Sequence, residues 1–105
     1  MEFIFNEEFK DFSNDQEINI FFLKHIEAWA NDNLKLRGYI FLNDIYRELG
    51  LELTQSGQVT GWTYAKCKKI DFKINRIENT NYVKFELKTI GNILSCLPMW
   101  KVWAH

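Results

Sequence analysis

Apolar positions along the chain change their spacing partway, from a helical period in the first half to an alternating one in the second. Ser13, Asn14 and Asp15 offer side-chain oxygens that can accept from the free N–H groups of a first helical turn. Behind them the spacing predicts a main helix over residues 15–34. Glu17 sits in its first turn, where the helix dipole favours a negative charge, and a stop is expected near Leu36-Arg37-Gly38. Ile18, Phe22, His25 or Ile26, Trp29 and Asn33 follow helical spacing, with Phe21 and Leu23 widening the stripe. This face is therefore expected to lie against a sheet or a second helix. Tyr39-Ile40-Phe41 reads as a short extended piece or a tight connector. A second helix follows, with Asn43 as its N-cap, Asp44 in its first turn and Gly50 as its terminating glycine. Leu42, Ile45, Tyr46 and Leu49 share one face, and Leu51 is placed to fold back on Tyr46.

Thr54 to Gly61 is polar and contains two glycines, which predicts a loop. Beyond Trp62 the period becomes two. Ile70, Phe72 and Ile74 alternate with Lys69, Asp71 and Lys73; Val83, Phe85 and Leu87 alternate with Lys84, Glu86 and Lys88. Each run predicts a half-buried strand. Residues 75–81 would join them as a hairpin, with Lys69 or Lys73 near Glu86 helping to set the register. Trp62-Thr63-Tyr64 and Ile93-Leu94 are weaker strand candidates. The expected fold is a single α+β domain over residues 1–105, with two N-terminal helices packed on a three- to four-stranded antiparallel meander sheet. The tail from Leu97 to His105 is apolar and carries Trp100 and Trp103. It reads either as a last strand or as a segment that docks on a second subunit.

Composition supports one packed domain. The chain has 105 residues, 47% of them apolar and 26% charged, close to globular averages. Nine Phe, four Tyr and four Trp supply much buried area per residue, which helps a small domain offset its chain entropy. The N-terminus shows no basic region followed by an apolar run, and no apolar stretch is long enough to cross a bilayer. Cys67 and Cys96 are expected as free thiols in a reducing cytoplasm. The net charge of −1 hides an asymmetry. Residues 1–52 hold eleven acidic and five basic side chains, a balance of −6; residues 53–105 hold three and eight, a balance of +5.

The segment Arg37-Gly38-Tyr39-Ile40-Phe41-Leu42-Asn43-Asp44-Ile45-Tyr46-Arg47-Glu48-Leu49-Gly50-Leu51 carries a motif that continues through Ser56-Gly57-Gln58-Val59-Thr60-Gly61-Trp62 and Ile70-Asp71-Phe72. Over about residues 20–94 the chain resembles a family of small uncharacterised proteins from bacteriophages and mobile elements of Gram-positive bacteria. The resemblance implies a phage-related setting in a bacterial host cell. It implies no mechanism.

Candidate chemistry is sparse. There are two histidines, His25 and His105, and no Gly-x-Ser-x-Gly elbow. Cys67 with His25 could in principle pair as nucleophile and base, but a packed core histidine is the preferred account of His25. Cysteine and histidine spacing does not suit a zinc site, and Gly57-x-x-x-Gly61 lacks the Gly-Lys-Ser/Thr ending of a phosphate loop. No catalytic residue, metal or cofactor is expected. Lys66, Lys68, Lys69 and Lys73, with Arg76 beyond and Trp62 and Tyr64 beside them, form the one basic cluster with interleaved aromatics, a pattern used in single-strand binding. The preferred expectation is a non-enzymatic protein-interaction module acting on a host or phage protein, with Trp100 and Trp103 as anchors. The alternative is nucleic-acid binding through the 66–76 segment. A homodimer through the C-terminal tail is a separate expectation.

Overall fold

The computed structural model describes residues 1–97. In chain order these form β1 (Glu2–Phe5), α1 (Gln16–Arg37), β2 (Tyr39–Phe41), α2 (Leu42–Leu49), a 3-10 turn (Ser56–Gln58), β3 (Gly61–Thr63), α3 (Tyr64–Cys67), β4 (Asn75–Arg76), β5 (Val83–Glu86) and a second 3-10 turn (Leu94–Cys96).

α1 starts and stops where its caps dictate. The Asp15 carboxylate accepts from the Glu17 N–H at 2.9 Å, and Gly38, at φ 85°, returns its N–H to the Leu34 carbonyl at 2.8 Å. The face that packs inward differs from the expected one. It carries Asn19, Ile20, Leu23, Ile26, Ala30 and Leu34. Ile18, Phe21 and His25 point to solvent, while Phe22 and Trp29 are half-buried at the edge of the core. Two apolar lines run along this helix, and hydrogen bonding decides between them. With Leu23, Ile26 and Leu34 inward, Asn19, Glu27 and Asn31 reach backbone groups of the second half of the chain.

Those contacts also explain a second departure. Ile70 and Phe72 are buried and Lys69, Asp71 and Lys73 exposed, as alternation requires, but residues 70–74 are not a strand. Their backbone groups go to α1 side chains. Asn31 accepts from the Ile70 N–H at 2.7 Å and donates to its carbonyl at 2.9 Å; Glu27 accepts from the Phe72 N–H at 2.7 Å. The Phe72 carbonyl alone reaches β5, accepting from the Glu86 N–H at 2.7 Å, and ladder pairing starts at β4, where Asn75 faces Lys84 and Arg76 faces Val83. The expected charge register with Glu86 does not form, and Lys84 instead pairs with Glu2 at 3.1 Å.

The sheet is likewise not one meander under two helices. Three strands lie in the order β1-β5-β4, all antiparallel, while β2 and β3 form a separate antiparallel pair. β1 sets Phe3 opposite Phe85 and Phe5 opposite Val83. The Phe3 and Phe85 rings stack at 5.1 Å, and Phe5 meets Phe9 at 4.9 Å, so the abundant phenylalanines cluster beneath α1. Trp62-Thr63 extends as expected, but its partner is β2. Gly61 permits that pairing, because a Cβ there would collide with the Ile40 carbonyl oxygen. Ile93 is buried without being a strand; its N–H bonds to the Val59 carbonyl at 2.9 Å.

α2 begins two residues earlier than its cap signal suggested. Phe41 is the N-cap, and its N–H is taken by the Asp44 carboxylate at 2.9 Å. Asn43 is buried instead and bonds both backbone groups of Thr54, at 2.8 and 3.0 Å. The glycine stop is as expected: Gly50 has φ 77°, and the Leu51 N–H reaches the Tyr46 carbonyl at 2.9 Å.

Asn19 is fully buried, accepting from the Ser13 N–H and donating to the Ser13 and Asn81 carbonyls. Asn19→Ala should lower stability by about 1–3 kcal/mol in urea denaturation, because it removes three hydrogen bonds that a buried side chain makes to the Ser13 and Asn81 backbone. A second expectation concerns pH. The Tyr82 hydroxyl donates to both Glu7 oxygens and holds that carboxyl below its ordinary range. A lowered carboxyl contributes stability above its ordinary pKa and loses it as pH falls through the folded-state value. Glu7→Gln should therefore melt lower than the parent near neutral pH, with the gap closing on acidification.

Candidate interaction surface

The outward side of α1 is the most apolar exposed helical surface of the described residues. Ile18 is 54% exposed, Phe21 79% and Leu36 85%. His25, Ala28 and Asp32 continue the same line and are also exposed. The intervals 18, 21, 25, 28, 32 run alternately three and four, the spacing that keeps a stripe on one side of a helix. Phe22 and Trp29 flank it, half in the core and half outside. Glu17, Lys24 and Lys35 line the opposite flank. Arg76 bonds Glu17 and lowers its pKa, so that carboxylate stays charged across the neutral range. Sequence reasoning missed this surface because it assigned Ile18 and Phe21 to the core. The available signal was that apolar residues occupy more of the helix circumference than one buried face can use.

The residues expected to form a site are only partly brought together. Trp62 is a core residue, 2% exposed, with its indole N–H on the Lys88 carbonyl at 2.8 Å. It cannot serve as a partner anchor or a base-stacking ring, because β2–β3 pairing turns it inward. Tyr64 is half-buried, and the Lys68 ammonium sits 4.7 Å above its ring. Lys66, Lys68, Lys69 and Lys73 are exposed, and Lys68 and Lys73 hold positive φ angles of 59° and 49°. Tyr64, Lys66 and Lys68 meet around an open cleft of about 620 Å³ with Gly38, Thr63 and Leu97; Lys69 and Lys73 do not line it. Trp100 and Trp103 lie outside the described residues, as does His105.

Thr63 is 4% exposed, and its hydroxyl has no hydrogen-bond partner among the described residues. Cys67 and Cys96 are free thiols. Burial pushes the Cys67 thiol up, away from the thiolate form a nucleophile needs. His25, expected to pack in the core, is exposed on the α1 stripe instead. Among the described residues, no group of three or more His, Cys, Asp or Glu side chains could hold a metal ion, and no helix is long and apolar enough to cross a membrane.

The motif from Arg37 to Gly61 resolves into structural parts. Asp44 lies 3.5 Å from both Arg37 and Arg47 while accepting from the Phe41 N–H. Gly57 lies so close to Asn43 and Thr54 that a Cβ would overlap the Asn43 side-chain oxygen. The model of a family of unknown function (DUF6353) matches residues 2–93. The chain belongs to this family. No curated protein and no solved structure matches it. The DUF6353 match runs from β1 to Ile93, so it takes in the first strand, which the motif resemblance had left out.

Gly57→Ala should destabilise the fold measurably, because the Asn43–Thr54 clamp must open to admit the methyl group. Thr63→Val should be neutral or slightly stabilising, since it removes a buried hydroxyl that bonds to none of the described residues. Thermal melts check both, and a loss above about 1 kcal/mol in Thr63→Val would show that the hydroxyl is bonded after all.

Proposed function

We propose that this protein is a non-enzymatic interaction module that docks the outer face of α1 on another protein. The observation that carries this reading is the exposure of Ile18, Phe21 and Leu36 on a helix whose opposite face already fills the core. A helix apolar on both sides leaves one side to be covered. Large side chains on a rigid helix make good anchors, since little conformational entropy is lost when they are buried in a partner. The motif resemblance suggests a phage or mobile-element origin, a location in the bacterial cytoplasm, and a host or phage protein as the target.

The alternative, nucleic-acid binding through Lys66, Lys68, Lys69 and Lys73, is less well supported. Trp62 is withdrawn into the core, and Arg76 is engaged by Glu17.

Immobilised protein should recover a stoichiometric partner from host lysate, and Phe21→Asp combined with Leu36→Asp should abolish that recovery while leaving the melting temperature unchanged. Equal recovery by the variant, or no stoichiometric partner at all, would sink the reading.

A further inference from the structure

The outer face of α1 has a symmetry that names a first occupant. Ile18 and Leu36 stand eighteen residues apart, as do Glu17 and Lys35. Eighteen residues are about five turns, so each pair occupies one angular position at opposite ends of the helix. Around a two-fold axis at the middle of α1, an antiparallel copy sets Ile18 against the second copy's Leu36 and Glu17 against its Lys35. In an antiparallel pair each flank meets the same flank of its mate, so the acidic N-terminal end and the basic C-terminal end match twice. The helix dipoles also oppose each other, which is their favourable arrangement. Ala28 lies close to the axis, beside the second copy's His25, and its small side chain allows the close approach of two helices.

We infer that free protein forms an antiparallel two-fold homodimer through the outer face of α1. This rests on the same docking face as the proposed function and names what covers that face when no other partner is present. Such an interface is isologous, with one patch serving both subunits. A 22-residue helix is about 33 Å long. A single helix pair of that length falls near or below the lower bound of about 1,200 Å² for stable interfaces, so the dimer is reversible and concentration-dependent. A larger partner that uses the same residues can then displace the second copy.

Sedimentation of the full chain over a wide concentration range should show a monomer–dimer equilibrium. Phe21→Glu should weaken association at least about tenfold, because it removes a large apolar anchor and sets a carboxylate toward the second copy's Asp32. Lys35→Glu sets two carboxylates opposite each other and should weaken it roughly two- to fivefold. Adding Glu17→Lys to Lys35→Glu should recover part of the lost affinity, the remainder being the Glu17–Arg76 pair that it breaks; unfolding cannot imitate such a rescue, and melting curves verify that each variant folds. A full chain that stays monomeric at every concentration overturns the inference. So does a dimer indifferent to Phe21→Glu and to the charge exchange, because its interface then lies elsewhere, the C-terminal tail included. If the chain is monomeric yet loses its lysate partner on Phe21→Asp with Leu36→Asp, the dimer falls and the docking reading stands; if that variant also keeps its partner, both fall.

Discussion

Asn19, Glu27 and Asn31 project from α1 and bond to backbone groups that a neighbouring strand would otherwise pair. Gln16 joins them, donating to the Ile77 and Tyr82 carbonyls at 3.1 and 2.9 Å. Through these contacts one helix holds the 70–82 segment and the Ser13 turn against a shared aromatic core. A backbone N–H or carbonyl buried without a partner costs about 1–3 kcal/mol. The rotation of α1 about its axis is therefore set by polar groups as much as by apolar ones. Asn43 repeats the device on α2, where it clamps Thr54 and leaves room for nothing larger than Gly57.

That rotation has a consequence on the other side of the helix. Once Leu23, Ile26, Ala30 and Leu34 face inward, Ile18, Phe21 and Leu36 must face out. The interior gains a satisfied set of hydrogen bonds, and the exterior is left with an apolar stripe flanked by charges of both signs. The proposed docking role and the self-complementary pairing of α1 both follow from this one choice of face. The Glu17–Arg76 pair ties the N-terminal end of that face to β4, so the surface is anchored to the sheet at the end where the acidic flank begins.

Elements governed by local rules were legible from residue order alone. The Asp15 cap, the Gly38 and Gly50 stops and the apolar face of α2 depend on neighbours within a turn or two. The burial alternation of Ile70, Phe72, Val83, Phe85 and Leu87 was legible for the same reason. β1 was not, because four residues carry too short a pattern, and Ile4 stays 49% exposed between Phe3 and Phe5. The candidate surface was misread, since the spacing of Ile18 and Phe21 fits a buried helical face as well as an exposed one.

Residue order by itself determined a mixed α+β fold, an aromatic core and alternating burial after Trp62, but not that a strand, β1, precedes the helices. Tertiary structure alone decided which side of α1 is inside, that β2–β3 separates from the β1-β5-β4 sheet, and that Trp62 is core while Phe21 is surface. The physical reason is that caps, turns and periodicity are satisfied within a few residues. The partners of Asn19, Asn31 and Glu27 lie some forty to sixty residues along the chain, so only the folded arrangement determines which face they serve.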